Sequence, residues 1–219
     1  MFEGYVSPWM DEELHIMRDA VSKFLDREFV PHAERWEKQG IVDREAWTKA
    51  GEAGILCASI PEEYGGGGGN FKHEMVLVEE MSYANVSGFG NSVHSGIVAH
   101  YIHAYGSEEQ RQRWLPKMAR GEIVAAIAMT EPGTGSDLQS IATTAIKQGD
   151  HYVLNGQKTF ITNGMSADLI CVVAKTDPSA KGKGISLLMV ETADCEGDGG
   201  FSRGRNLENL GQKAHDTSE

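Results

Sequence analysis

Ser107-Glu108-Glu109-Gln110-Arg111-Gln112-Arg113-Trp114-Leu115-Pro116-Lys117-Met118-Ala119-Arg120-Gly121-Glu122-Ile123-Val124-Ala125-Ala126-Ile127-Ala128-Met129 is where the chain changes its period. Ser107 followed three residues on by Gln110 is a capping-box pattern, in which each side chain satisfies a backbone donor that the first helical turn leaves orphaned. A helix is therefore expected from there to about Ala119. Residues 123–129 are a short apolar run, the mark of a buried strand. Upstream of residue 122 the pattern is helical throughout. Leu14, Met17, Val21, Phe24 and Leu25 recur at three- and four-residue spacing and predict a helix over 11–29 with one apolar stripe, ended or kinked by Pro31. Further helices are expected over 43–53, with Gly54 placed to stop it, and over 70–86 and 91–105. Downstream the period is that of strands: 143–147 and 152–154 flank Gln148-Gly149-Asp150 as a hairpin, and 169–175 and 185–190 are β-rich runs. The expected fold class is α+β: an all-α unit, residues 1–122, joined directly to an antiparallel β-barrel-like or sandwich unit, residues 123–219. The polar end, Lys213 to Glu219, supplies no closing element for a sheet with few strands, which reads as an incomplete β unit.

The chain has 219 residues, 20 Lys and Arg against 32 Asp and Glu, and a formal net charge of −12. That acidity argues against nucleic acid as a partner, because phosphate backbones are held by surplus Lys and Arg. At 40% hydrophobic and 24% charged residues, the composition is that of a soluble globular protein with a core of its own. No window of about 18 uninterrupted apolar residues predicts a membrane span. Cys57, Cys171 and Cys195 are odd in number and far apart, which reads as reduced thiols. The acidic first residues lack the pattern of a secretory leader. The chain is thus expected to be cytoplasmic, or organelle-matrix in type.

Two stretches can carry chemistry. Met129-Thr130-Glu131-Pro132-Gly133-Thr134-Gly135-Ser136-Asp137-Leu138 follows the first strand and gathers glycines, hydroxyls and an acid into one turn. Gly133 and Gly135 permit close backbone approach to a ligand, and consecutive amides in such a turn form an anion-binding concavity. Pattern alone leaves ligand binding and an ordinary glycine-rich turn both open. Leu154-Asn155-Gly156-Gln157-Lys158-Thr159-Phe160-Ile161-Thr162-Asn163-Gly164 carries two Asn-Gly turn signals and reads as a hairpin with an exposed loop. The five glycines 65–69 read as a flexible loop: no Gly-Lys-Ser/Thr follows, so a P-loop is excluded, and the dinucleotide spacing fails at Asn70. His94, His100 and His103 lack the helical metal spacing, and residues 194–200 lack the ligand order of a calcium loop; both groups are expected at the surface.

Together the two stretches resemble the signatures of the acyl-CoA dehydrogenase family. Pro61-Glu62-Glu63-Tyr64-Gly65-Gly66, Tyr105 to Gln110, Arg203-Gly204-Arg205 and Leu210 to Thr217 add to the likeness, the last two pointing to the long-chain and short-branched-chain branches. The resemblance implies FAD as cofactor and a reaction that desaturates an acyl-CoA to its 2-enoyl-CoA, with electrons passed to an electron-transferring flavoprotein, within lipid metabolism. It further implies a homotetramer for a full-length member and a C-terminal four-helix domain that carries the catalytic base, expected beyond residue 219, so that these residues alone are expected to lack turnover. By the same resemblance Thr130 and Thr162, with backbone groups of Ile127, Met129 and Ile161, meet the polar edge of the flavin, and Phe160 lies against its face. Gly135 and Ser136 meet the FAD ribityl–pyrophosphate, Ser136 also the pantetheine side of the substrate, and Gly182 and Lys183 the CoA nucleotide. Where the family often has Tyr, Ile127 leaves only a backbone contact. Two other readings stay open: an acyl-CoA oxidase or flavin monooxygenase on the same scaffold, and a non-catalytic interaction fragment.

Overall fold

A computed structural model describes residues 7–86, 88–195 and 200–219. Of the acidic, glycine-rich stretch 194–200 weighed as a calcium loop, residues 196–199 lie outside the described residues, as do residues 1–6 of the N-terminal segment.

The helices begin where local chemistry can satisfy their first amides. In α1 (Glu12–Glu28) the Asp11 carboxylate accepts the Leu14 N–H at 3.0 Å, and Leu14, Val21, Phe24 and Leu25 form the buried stripe. The helix gives way at Phe29 to a 3-10 turn, Val30–His32, which carries Pro31 near its start, and the chain resumes as α2 (Ala33–Gln39) and α3 (Arg44–Glu52). In α4 (Phe71–Tyr83) Asn70 and His73 form a capping box, Asn70 Oδ1 accepting from Lys72 N–H at 2.9 Å and His73 Nδ1 from Asn70 N–H at 3.1 Å. The expected box at α7 (Glu108–Ala119) is present in both directions: Gln110 N–H donates to Ser107 Oγ at 3.2 Å, and Ser107 N–H to Gln110 Oε1 at 2.8 Å. The run 91–105 is not one regular helix. It passes from α5 (Asn91–Val93) through a π-helical turn, His94–Ala99, into α6 (His100–Tyr105).

The core is built in two main stages. Phe24, Phe29, Trp36, Trp47 and Phe89 knit the first helices together by edge and tilted ring contacts, Phe29 to Phe89 at 4.9 Å and Trp47 to Phe89 at 4.4 Å. The next cluster crosses from helices to sheet: Val98, Ile102, Leu115 and Met118 pack with Ala125, Ile127, Leu169 and Cys171. The helical and β parts therefore meet through shared apolar side chains rather than through a linker.

The strands are β1 (Ala125–Ala128), β2 (Thr144–Gln148), β3 (His151–Asn155), β4 (Ile161–Thr162), β5 (Leu169–Lys175), β6 (Ile185–Glu191) and β7 (Thr217–Ser218). The expected hairpin forms, with Ala145 opposite Leu154 and Gly149 at φ +65° in its turn. The purely antiparallel expectation is corrected in two pairings. β1 runs parallel to β5, with Ala125 opposite Leu169 and Ala128 opposite Val172, and β2 meets β5 in parallel at Thr144 and Lys175. β6 flanks β5 antiparallel over its whole length, and β4 pairs antiparallel with β7 in a separate ribbon. A parallel pair needs a crossover, and the hairpin and everything else between residues 128 and 169 supply it. The periodicity of each strand carries no information about that pairing.

The five glycines are also not a flexible loop. Gly67, Gly68 and Gly69 donate to the carbonyls of Cys57, Ile60 and Ala58 at 3.1, 2.9 and 2.9 Å. A Cβ on Gly66 would stand 2.2 Å from the Ile60 carbonyl oxygen. Gly66→Ala is therefore expected to lower stability by about 2 kcal/mol, the ordinary cost of overpacking against a backbone that cannot yield, measured as a urea midpoint at unchanged m-value. A midpoint equal to that of the parent chain would contradict this packing.

Candidate functional site

The two sequence stretches are fastened together in space. Thr159 N–H donates to the Thr130 carbonyl at 2.9 Å, so the chain before Phe160 lies directly against the turn that follows β1. Beside that bond, Lys158 Nζ donates to the Met129 carbonyl and to Glu131 Oε1, both at 2.9 Å. The Glu131 carboxylate is buried and also accepts the amides of Ala142, at 2.5 Å, and Thr143, at 3.0 Å. It thereby closes the mouth of the 131–142 loop. Within that loop the Glu131 and Thr134 backbones exchange bonds at 2.9 and 3.0 Å, and Thr134 Oγ1 donates to the Ser140 carbonyl. Burial pushes the Glu131 pKa up, but the donors from Thr143, Ala142 and Lys158 outweigh it and hold the carboxyl at about 2. Burial lowers the pKa of Lys158, and Glu131 pulls it back up.

Around this fastening the expected site residues sort themselves by exposure. Phe160 is 67% exposed and stands in the left-handed region at φ +58°, between the buried Thr159 and Ile161. A bulky residue with positive φ is an outlier that surrounding structure must hold in place. Here the Thr159 bond on one side and the pairing of Ile161 with Ser218 on the other do so. Thr130, Thr162 and Met129 are half-buried. Among the described residues the hydroxyls of Thr130, Thr162 and Ser136, and the amides of Thr130, Gly135 and Ser136, make no hydrogen bond. Gly133 and Gly135 face open space where a Cβ would stand. Ile127 differs: its side chain belongs to the core shared with the helices, leaving only its backbone for a ligand. Gly182 and Lys183 do not join the Phe160 edge directly. They lie on the 3-10 segment Pro178–Gly184, which packs on Leu138–Ser140, and a Cβ on Gly182 would come 2.9 Å from Gln139 Oε1. Lys183 is exposed there.

Asn163-Gly164 is the opposite of an exposed loop. Asn163 is buried at φ +63°, and its Nδ2 donates to the carbonyls of Gly90 and Ala125 at 3.0 and 3.1 Å, while its N–H donates to Asp216 at 2.9 Å. The surface placement expected for the histidines is corrected for His94, which is fully buried. Its Nδ1 accepts the Ala125 N–H at 3.0 Å and its Nε2 lies 3.2 Å from the Met118 carbonyl, which fixes the neutral ring with the proton on Nε2. His100 meets the Ser59 hydroxyl at 2.9 Å, and His103 stands edge-on to Tyr64. The thiols of Cys57 and Cys171 are buried and their pKa values pushed by burial to about 12 and about 11, far from a thiolate at neutral pH. Neither Glu131 nor Lys158 nor Asn163 is assigned a role by sequence reasoning: the side-chain partners lie from 11 to 73 residues away, beyond any local pattern.

Residues 11–122 match the acyl-CoA dehydrogenase N-terminal domain and residues 126–219 the acyl-CoA dehydrogenase middle domain. Over 209 residues the chain is 48% identical to the mitochondrial long-chain specific acyl-CoA dehydrogenase of Sus scrofa, covering 94% of this chain and 48% of that protein. It is 36% identical over 215 residues to the mitochondrial isovaleryl-CoA dehydrogenase of Pongo abelii, covering 96% and 50%. A solved structure of glutaryl-CoA dehydrogenase from Mycobacterium smegmatis in complex with FADH2 superposes with a TM-score of 0.86 at 31% identity, over 95% of this chain and 52% of that one. The chain spans about half the length of the curated relatives it matches. These relatives correct the cytoplasmic expectation, since they are mitochondrial proteins by name. The lack of a secretory pattern in the first residues bears on secretion alone and does not separate the cytoplasm from an organelle matrix. No helix among the described residues is long and apolar enough to cross a membrane.

Proposed function

Because the chain belongs to the acyl-CoA dehydrogenase family, we propose that its residues form one wall of the FAD site of an enzyme that desaturates acyl-CoA esters to 2-enoyl-CoA and delivers the electrons to an electron-transferring flavoprotein. The observation that carries this reading is the fastened edge: an exposed aromatic in a held left-handed conformation beside a row of unpaired hydroxyls and amides. An isoalloxazine has flat apolar faces and polar edges, and this surface offers the complement of both. FAD, when bound, accepts the hydride from the β carbon of the substrate.

The chain's own part is to bind and orient. Phe160 supplies a flat face. The Thr130 and Thr162 hydroxyls, with backbone groups of Ile127, Met129 and Ile161, supply the edge contacts, and donors fixed there before the reaction favour the charge that develops on the ring. The free amides of Gly135 and Ser136 suit a pyrophosphate, and the Ser136 hydroxyl a pantetheine amide. Lys183, beside Gly182, suits a nucleotide phosphate in a protein whose bulk field is repulsive to one. None of the described carboxylates is assigned the removal of the α proton, and Glu131 is committed to Lys158 and two amides. The division into units 1–122 and 123–219, and assembly of the full-length enzyme as a tetramer, are part of the same reading.

Titration of the purified chain with FAD tests it. Quenching of flavin fluorescence that saturates near one FAD per chain is expected. In Thr130→Val/Thr162→Val the dissociation constant is expected to rise by about tenfold or more, each lost hydrogen bond contributing about 1 kcal/mol. A folded chain whose double variant binds as tightly as the parent would overturn the assignment of that edge.

A further inference from the structure

We propose that Lys158 is a positioning residue, which through Glu131 presets the 129–137 turn and the reversed backbone at Phe160 before any cofactor arrives; its consequence for FAD rests on the reading above. Three observations carry it. The pair is almost fully withdrawn from water, with the two side chains 10% and 6% exposed. It lies where the two stretches are bonded to each other, one residue from the Thr159–Thr130 bond and two from Phe160. And its hydrogen bonds beyond the pair go to backbone: the Met129 carbonyl through Lys158, the Ala142 and Thr143 amides through Glu131.

A buried ion pair is a poor device for stability alone, because desolvation of two charges consumes most of what their attraction returns, and apolar replacements of like volume are often neutral. What a charge pair does that Leu and Met cannot is fix direction. The ammonium has three donors and the carboxylate four acceptor sites, and here they clamp the ends of the 131–142 loop to the strand that precedes it and to the segment that projects Phe160. The unpaired amides of Gly135 and Ser136 are thereby held open with no ligand needed to order them, the condition under which binding does not have to supply the ordering itself.

Lys158→Met keeps the stem length and removes the charge. Amide hydrogen exchange on the cofactor-free chain is expected to quicken by about tenfold at the bonded amides of Glu131, Thr134, Ala142 and Thr143, the loss of one charged hydrogen bond, with exchange in α1 and α4 unchanged. FAD added to the same samples is expected to bind about tenfold more weakly and to lose the resolved shoulder that a rigid, dry flavin shows in its visible absorption. Glu131→Gln approaches from the other side, retaining an acceptor for one amide, and replaces Lys158→Met if that variant does not fold. Exchange and FAD affinity both unchanged in a folded variant overturn the proposal. Should the unsubstituted chain refuse FAD, the flavin reading falls, and the exchange rates alone decide whether Lys158 presets the turn.

Discussion

Asn163→Ala is expected to destabilise the chain by about 3–5 kcal/mol. The Asn163 amide donates to two buried carbonyls, Gly90 from the helical part and Ala125 from the first residue of β1; its removal leaves the Ala125 carbonyl unsatisfied and takes one bond of about 1 kcal/mol from Gly90, whose carbonyl keeps the amides of Val93 and His94 at 3.2 Å. An unsatisfied buried polar group costs about 1–3 kcal/mol, and an alanine forced to φ +63° adds about 1 kcal/mol where Asn tolerates the left-handed region. The fit is close on the far side as well: a Cβ on Gly90 would stand 1.9 Å from Asn163 Oδ1. Because these bonds span the junction between helices and sheet, urea unfolding is expected to lose its single transition as well as its midpoint. Asn163→Gly separates the two contributions. It loses the same hydrogen bonds and accepts the same φ, so it should be more stable than Asn163→Ala by about 1 kcal/mol. If Asn163→Ala unfolds within about 1 kcal/mol of the parent chain, and in one step, the junction is held by apolar packing and not by this amide.

That junction also marks how far the sequence could be read. Helices were legible because their information is local. The Ser107–Gln110 box lies within four residues, and the α1 stripe within three turns. The β segments at 123–129, 143–147, 152–154, 169–175 and 185–190 are legible one at a time for the same reason, and 169–175 is bounded correctly because an unbroken apolar run with turn signals on both sides admits few other readings. The two-residue strands β4 and β7 are not, and the polar end expected to close nothing supplies the partner of β4. Pairing was not legible. β1 lies beside β5 because of what both bury against α7 and the π-helical turn, and no feature within either strand states that. The glycine run misleads for a related reason. An absent side chain fits mobility and close approach equally well, and only the carbonyls of Cys57, Ala58 and Ile60 opposite it decide between them. In the candidate site the residue types with free donors stood out by their density in one turn. The residues that hold them, Glu131 and Lys158, are separated by 27 positions and look like any acid and base in an acidic chain.

His94 is the remaining case, and lowering the pH should expose it. The ring sits in the π-helical turn because that wider turn aims Nδ1 at the first amide of β1 while Nε2 reaches back to α7. Burial lowers its pKa to about 4 from an ordinary 6.5; the Met118 carbonyl opposes this, nearby Arg44 adds to it, and Asp168 opposes it. The folded state thus binds this proton less readily than the unfolded chain. Its stabilising contribution is complete above about pH 6.5 and is lost as pH falls from there through about 4. The gap corresponds to roughly 3 kcal/mol at the acid end. Urea midpoints taken from pH 7 to pH 4 should therefore fall steeply, well before Glu131, held at about 2, begins to take up its proton in the folded state. His94→Gln is expected to be less stable at neutral pH, because a linear amide cannot serve both the Ala125 amide and the Met118 carbonyl, yet to lose most of the slope across that window. The two curves should converge toward pH 4. Parallel curves, displaced by a constant amount from pH 7 to pH 4, would mean that the proton driving acid loss of structure is taken up elsewhere and that His94 contributes only its packing.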